Sequence, residues 1–382
     1  VEGKKVMCMS GYGKEAYSLY RKYSTKTVAH TIKSYSKFTI PYPYPVAQSL
    51  EAANGMEYPM ICFNFGRTEK DANGNYSANS TYSEGTKNGM LGVVIHEVGH
   101  NFFPMIINSD ERQWTWMDEG LNSFCEYLTE ELFDNKYPVS KGPAYKIVNY
   151  MKLPKDQLEP IMTNSENIIQ FGPNAYSKPA TGLNILRETI MGRETFDYAF
   201  REYARRWAFK HPTPADLFRT MEDASAEDLD WFWRGWFYGV EPCDISLDTV
   251  KWSILNTEAA TAGNNNNGST RKIPVAKPIL NDFDDISKIR NRNDKKITFA
   301  TDADQSLRDF YWRYDRNLVK VDTAAFEMAI PAPSADDYTE AERFHIAGNK
   351  YLYELTFSNK GGLVMPIIIE WTFKDGTKEV DR

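Results

Sequence analysis

Residues 89–105, GMLGVVIHEVGHNFFPM, form the most informative stretch of the chain. His96 and His100 are four positions apart, so in a helix their side chains project from one face, one turn apart. Two imidazole nitrogens on one face can bind the same zinc ion at about 2.0–2.1 Å. Glu97 is rotated by about 100° from His96, so it can take a proton from a metal-bound water without binding the metal. The pattern therefore predicts a zinc helix; the alternative is a buried helix with two hydrogen-bonded histidines.

A zinc site needs further protein ligands, and the next suitable carboxylates lie in residues 114–133, WTWMDEGLNSFCEYLTEELF. This stretch is typical of a second helix. Asp118 suits its cap or first turn, whereas Glu119, one position deeper, can turn inward and is the favoured third ligand. Glu126 lies two turns further along the same face, where it could accept the outer N–H of a ligand histidine. Taken alone, Glu119 could also be an ordinary first-turn carboxylate.

His96-Glu97-Val98-Gly99-His100, followed after eighteen residues by Glu119 in an Asp-Glu-Gly context, resembles the M1 family of zinc aminopeptidases, which are gluzincin metallopeptidases. The resemblance implies that His96, His100 and Glu119 bind one zinc ion per chain and that Glu97 is the general base. It also implies an α+β fold: a mainly helical, thermolysin-like zinc peptidase domain with a small N-terminal sheet, followed by a β-sandwich-like domain with a helical insertion.

Gly55-Met56-Glu57 resembles the GxMEN signature of the same family, with Tyr58 where asparagine is commoner. The resemblance implies an edge strand against which a peptide substrate lies extended. Gly55, Met56 and Glu57 would then bind substrate, with Glu57 holding the free α-amino group. An ammonium held by a carboxylate gains a charge-assisted hydrogen bond, which would also fix which peptide bond reaches the metal.

Tyr176-Ser177-Lys178 resembles the Y-x-K element that follows the zinc motifs in this family, with Pro179 where glycine is usual. The resemblance implies that Tyr176 donates a hydrogen bond to the oxyanion of the tetrahedral intermediate. Losing one such donor typically costs about 3 kcal/mol in the barrier. Without the other motifs, a surface-loop tyrosine would be the ordinary interpretation.

Composition narrows the class of protein. The 382 residues, 42% of them hydrophobic, suffice for two or three well-packed domains. A net charge of −7 argues against nucleic acid or an anionic membrane as the main partner, and no apolar run reaches the roughly 18 residues of a membrane span. The chain begins with Val1, so we expect a fragment or mature form, and either a cytoplasmic or an extracytoplasmic location is open. Widely separated cysteines predict buried free thiols at Cys8, Cys62, Cys125 and Cys243.

The pattern along the chain predicts two domains, residues 1–242 and residues 243–382. In the first, a surface loop is expected from Gly66 to Gly89. In the second, a strand at 245–254 precedes a mobile loop and a partly helical insertion at 273–345. Gly361-Gly362 is expected to be the turn of a closing hairpin.

The predicted function is removal of the N-terminal amino acid from peptides with a free N-terminus, with Glu97 as base on zinc-bound water and Tyr176 on the oxyanion. A metallo-endopeptidase or an epoxide hydrolase of the same fold is one alternative. An inactive M1-like scaffold or binding module is the other. The sequence does not indicate the oligomeric state or the preferred N-terminal residue.

Overall fold

A small sheet lies near the N-terminus of the computed structural model, which describes residues 3–77, 79–254, 285–309 and 351–381. The four strands are β1 (Met7–Gly11), β2 (Val46–Glu51), β3 (Met56–Tyr58) and β4 (Ile61–Asn64). Their order in the sheet is β1, β2, β4, β3; the β1–β2 and β2–β4 pairs are parallel, and β3 is antiparallel to β4. β3 is therefore an edge strand, which offers backbone groups to an extended peptide.

Helices form most of the remaining regular structure up to residue 242. The described helices are α1 (Tyr17–Phe38), α2 (Glu84–Gly99), α3 (Thr115–Phe133), α4 (Val148–Met151), α5 (Lys178–Ile185), α6 (Arg193–Trp207), α7 (Pro214–Ser225), α8 (Asp230–Tyr238), α9 (Ile286–Asn293) and α10 (Ala300–Ala303). Two π-helical turns, Pro173–Ser177 and Leu186–Ile190, flank α5. The described fold thus mixes helices and sheet, as the sequence predicted.

α2 begins earlier than the sequence indicated. The hydroxyl of Ser83 accepts a hydrogen bond from the backbone N–H of Thr86 at 3.0 Å, which satisfies one of the unpaired donors of the first turn. The surface loop predicted for 66–89 therefore ends at the cap, and its last residues are helical. This early start gives the helix more than two turns before His96, with Met90, Leu91, Val94 and Ile95 buried in the core.

The described residues fall into two compact units. The first is drawn from 1–242, 279–310 and 363–382, and the second from 243–278 and 311–362. The observed units and the predicted domains share a boundary after residue 242. However, α9 and α10 belong to the first unit. The prediction had instead placed everything after residue 242 in one β-rich domain. The reason is packing: Lys288 of α9, which is buried, donates to the carbonyl of Tyr137 at 2.6 Å. The division into functional domains stays a prediction.

The C-terminal strands pair differently from the predicted hairpin. β5 (Ile245–Ile254) pairs antiparallel with β6 (Tyr351–Asn359), and β7 (Ile369–Thr372) pairs antiparallel with β8 (Lys378–Asp381). The prediction of a hairpin at Gly361-Gly362 was therefore wrong, because the strand before it pairs with the distant β5 and the strand after it pairs with β8. Of the four cysteines predicted to be buried, Cys62 and Cys125 are, whereas Cys8 is only half-buried and Cys243 is exposed. The predicted mobile loop at 261–272 and residues 273–284 and 310–345 of the insertion lie outside the described residues.

No helix in the described part of the chain is both long enough and apolar enough to cross a bilayer.

Candidate active site

The structure brings His96, His100 and Glu119 together. The Nε2 atoms of the two histidines lie 3.1 Å apart. Oε2 of Glu119 lies 3.1 Å from Nε2 of His96 and 3.3 Å from Nε2 of His100. The three predicted ligand atoms therefore form a nearly equilateral triangle between the end of α2 and the second turn of α3.

This triangle fits zinc. Ligand atoms about 2.0–2.1 Å from a tetrahedral zinc ion are about 3.3 Å from one another. Two imidazole nitrogens and one carboxylate oxygen are a donor set typical of catalytic zinc, which keeps its fourth position for water or substrate. The spacing of the donors, as well as their chemical identity, thus supports the predicted metal site.

Asn122 fixes the position of α2 against α3. Its side-chain amide donates to the carbonyl of His96 at 2.9 Å, and its Oδ1 accepts from the hydroxyl of Tyr35 at 2.7 Å. The same carbonyl also accepts from the backbone N–H of His100 at 3.1 Å, so Asn122 supplies it with a second donor at the end of α2. One buried amide therefore links α1, α2 and α3 beside the triangle, a role that nothing in the sequence signalled.

The outer nitrogen of each histidine has an acceptor. Nδ1 of His96 lies 2.9 Å from Oε2 of Glu126, as the two-turn spacing predicted. Nδ1 of His100 donates to the carbonyl of Phe103 at 2.8 Å. Oδ1 of Asp118 lies 2.9 Å from the same nitrogen but accepts no hydrogen bond among the described residues. Acceptors on Nδ1 hold the protons there and leave both Nε2 atoms for the metal.

Lys141 is a site residue that the sequence analysis missed. Its ammonium lies 2.9 Å from Oε2 and 3.2 Å from Oε1 of Glu126, and it sits over the ring of Tyr176. Burial opposes ionisation of Glu126, but Lys141 and His96 lower the pKa of its carboxyl to about 2. A lysine in an irregular segment fifteen residues after its partner carries no periodic signal.

Glu97 lies beside the triangle and is 7% exposed. Burial raises the pKa of its carboxyl to about 7; His96 and His100 lower it, and the carboxylates of Glu57 and Glu119 raise it. Its carboxylate, one oxygen of Glu57 and one nitrogen of His100 all lie within 4.8 Å of one another. The structure thus places the predicted base next to both the metal triangle and the predicted amine-binding carboxylate.

The residue before β3 lies close to Glu97, the predicted general base. A Cβ added to Gly55 would lie 2.2 Å from Oε1 of Glu97, so a side chain there would displace either the strand or the Glu97 carboxylate. Met56 and Tyr58 are exposed, and Glu57 between them is half-buried. Alternation along the strand therefore directs Glu57 to the opposite face of β3 from Met56 and Tyr58.

Tyr176 reaches the triangle from the π-helical turn before α5. Its hydroxyl donates to Oε1 of Glu119 at 2.6 Å, and its ring stacks on His96 with centroids 5.8 Å apart. Burial and the Glu119 carboxylate raise the pKa of its hydroxyl well above the usual range, so it stays a donor. Lys178, the last residue of the Y-x-K element, is buried and donates instead to the carbonyl of Gly239 at 2.9 Å. Its contact is with the end of α8.

Residues 23–236 match the family model described as the Peptidase family M1 domain, and this match covers more than half of the chain. Aminopeptidase M1-A of Oryza sativa subsp. japonica is 22% identical over 277 residues, which are 69% of this chain and 30% of the relative. Endoplasmic reticulum aminopeptidase 1 of Mus musculus is 26% identical over 189 residues, 48% of this chain and 20% of the relative. The chain thus spans less than a third of the length of these curated relatives.

Among solved structures, the M1 zinc metallopeptidase from Deinococcus radiodurans is similar, with a TM-score of 0.41 and 18% sequence identity. That similarity covers 56% of this chain and 43% of the other.

Proposed function

Because the chain belongs to peptidase family M1, we propose that it is a zinc-dependent aminopeptidase that hydrolyses the N-terminal peptide bond of peptides. The observation that carries the proposal is the position of Glu57, whose carboxylate lies within 4.8 Å of both Glu97 and His100. A carboxylate at that place can hold the α-ammonium of the same residue whose carbonyl reacts. An endopeptidase has no need of such a group.

The metal would be held by His96, His100 and Glu119, one zinc ion per chain. When bound there, zinc polarises the scissile carbonyl and lowers the pKa of a water molecule. Glu126 and the Phe103 carbonyl orient the two imidazoles through their Nδ1 atoms.

We propose that these residues belong to a thermolysin-like domain of residues 1–242, followed by a β-sandwich-like domain of residues 243–382.

The protein's own side chains perform proton transfer, oxyanion stabilisation and substrate binding. Glu97 takes the proton of the attacking water and passes it to the leaving amine. Tyr176 donates its hydroxyl hydrogen bond to the oxyanion that develops at the carbonyl oxygen, a charge that is absent from the ground state. The edge of β3 pairs with the extended substrate backbone, and Glu57 binds the α-ammonium and so selects the first peptide bond.

A panel of aminoacyl fluorogenic substrates, measured with and without a chelator, tests this proposal. We expect hydrolysis that the chelator abolishes and added zinc restores. Glu97→Gln should retain zinc and lower kcat by about 10²–10⁴-fold, because only the proton transfer is lost. Glu194→Gln, an exposed carboxylate in the first turn of α6, is the matched control and should behave like the parent chain. Unchanged hydrolysis by the Glu97→Gln variant would contradict the mechanism.

A further inference from the structure

Lys141 contacts both halves of the proposed catalytic apparatus. Its Nζ lies 2.9 Å from Oε2 of Glu126, the same oxygen that accepts from Nδ1 of His96 at 2.9 Å. The same ammonium lies 5.6 Å from the centroid of the Tyr176 ring. One cation therefore bridges the carboxylate that supports a metal ligand and the aromatic ring that carries the oxyanion donor.

The segment that carries Lys141 is held in place by its neighbours. Gly142 has a φ of +97°, which side-chain-bearing residues rarely adopt. A Cβ at this position would also lie 2.5 Å from Cγ of Tyr127, so the backbone is pressed against that ring. The Gly142 carbonyl accepts from Nδ2 of Asn184 in α5 at 3.2 Å. Packing of the adjacent backbone, in addition to the ion pair, thus fixes the position of the Lys141 main chain.

The charges explain why a cation is needed there. The side chain of Glu126 is only 6% exposed, and a buried carboxylate needs a partner for its charge. The ammonium of Lys141 donates to both carboxylate oxygens of Glu126, and Oε2 still faces Nδ1 of His96. An ammonium over an aromatic face is attracted by the ring quadrupole, which holds the Tyr176 ring beside His96.

We propose that Lys141 is a positioning residue that couples the orientation of His96, through Glu126, to the placement of Tyr176. The part of this proposal that concerns Tyr176 rests on the proposed function, since it involves the oxyanion donor. The part that concerns His96 involves only metal binding. Removing the ammonium should therefore weaken zinc binding and also displace the Tyr176 hydroxyl.

The test uses Lys141→Met, Glu126→Gln and the double variant, with Lys141→Arg for rescue. Zinc affinity is measured on the metal-free protein by competition with a chelator, and kcat and KM are measured on the zinc-loaded protein. Lys141→Met should weaken zinc binding by about 10–100-fold and lower kcat by about tenfold or more with little change in KM. Lys141→Arg, which keeps a cation, should restore most of both. In the Glu126→Gln background, Lys141→Met should add little to the loss of zinc affinity but still lower kcat.

Lys155→Met is the matched control, because Lys155 is an exposed lysine paired with Glu241. Unchanged zinc affinity in Lys141→Met, or fully additive losses with Glu126→Gln, would overturn the inference. A Lys141→Arg variant as impaired as Lys141→Met would do the same. If Lys141→Met does not fold, Lys141→Gln takes its place in the cycle. A parent chain that binds zinc but cleaves no peptide would instead refute the proposed function, and the zinc-affinity cycle would still decide the role toward His96.

Discussion

Gly55 and Glu97 approach so closely that a Cβ at position 55 would lie 2.2 Å from Oε1 of the carboxylate. The edge strand and the zinc helix are thus in contact at the proposed general base. Any side chain at position 55 must either displace β3 or turn Glu97 away from its place beside the triangle. The strand proposed to bind substrate and the carboxylate proposed to transfer the proton therefore depend on one backbone position.

Replacing Gly55 by alanine should lower kcat/KM by roughly 10–100-fold, because displacement of a reacting group by about 1 Å costs that much. Zinc content should not change, since no ligand is touched. Gly89→Ala, at a helical position with open space, is the control and should stabilise the chain by up to about 1 kcal/mol without a kinetic effect. Parent-like kinetics in Gly55→Ala would show that this approach has no catalytic importance.

Tyr176→Phe should lower kcat by about 10²–10³-fold with little change in KM, because the lost hydrogen bond acts mainly in the transition state. Glu119 also loses the donor that reaches its Oε1 at 2.6 Å. Zinc affinity should therefore be measured beside the steady-state kinetics. Tyr238→Phe removes an exposed hydroxyl and serves as the control. A loss expressed in KM alone would assign Tyr176 to substrate binding.

Glu57→Gln should impair substrates with a free amine far more than N-acetylated ones. The neutral amide cannot form the charge-assisted bond with an ammonium, and about 1.5–3 kcal/mol is typical of such bonds. Rates on a matched pair of peptides, free and N-acetylated, measure the ratio. Glu51→Gln, in β2 of the same sheet, is the control. Equal rates on both peptides in the parent chain would favour the endopeptidase alternative.

We expect His30 to make the stability of the fold depend on pH. Its Nε2 donates to the carbonyl of Thr129 at 2.9 Å. Burial lowers its pKa from 6.5 to about 4, with Lys33 acting in the same direction and the hydrogen bond opposing. Between those values the unfolded chain binds more protons than the folded chain. The free energy of unfolding therefore falls as the pH is lowered from 6.5 toward 4.

His30→Gln should remove this part of the pH dependence, because the amide keeps a donor but does not titrate. Urea unfolding of both chains between pH 7.5 and about 4.5 measures the difference. The stability of the parent chain relative to the variant should decline steadily below about pH 6.5. His211→Gln, at an exposed histidine, is the control for a general effect of histidine removal. Parallel pH curves for the parent and His30→Gln would contradict the assignment.

Glu188 ties α9 to the body of the first unit. Its side chain is 1% exposed and accepts from Arg187 at 2.7 Å, Arg193 at 2.8 Å and Arg290 at 2.6 Å. Removing the charge takes this anion away from Arg193 and Arg290, whereas Arg187 keeps its ion pair with Asp197. Glu188→Gln should therefore destabilise the chain by about 3–5 kcal/mol in urea unfolding. Glu354→Gln, in the exposed pair with Lys251, should change stability by less than about 1 kcal/mol; equal effects would refute the buried network as a stabilising element.

The sequence predicted the parts of the site that lie on regular elements. The helical period places His96 and His100 on one face, and Glu126 two turns after Glu119 on another helix. The resemblance of Gly55-Met56-Glu57 to the family signature implied the strand that carries Glu57. Lys141 and Asn122 were not predicted, because their partners are set by how helices and loops pack, which no local period encodes.

The pairing of β-strands that are distant in sequence was also not predicted. β5 pairs with β6 across about a hundred intervening residues, so the adjacent strand after Gly361-Gly362 was the wrong partner. α9 joins the first unit through buried polar contacts with α3, where Asn291 donates to Glu131 at 3.1 Å. From the sequence alone, a charged segment with polar residues predicts an exposed helix, because the buried partners of those residues lie elsewhere in the chain.

The sequence by itself determined the family, the helix of the two histidines, and the residues offered to a metal, because ligand chemistry and helical spacing are local properties. The tertiary structure alone decided that three donor atoms lie 3.1–3.3 Å apart. It also decided that Gly55 presses on Glu97 and that Lys141 joins Glu126 to Tyr176. These relations depend on the packing of elements distant in sequence, and only the folded chain brings them within contact distance.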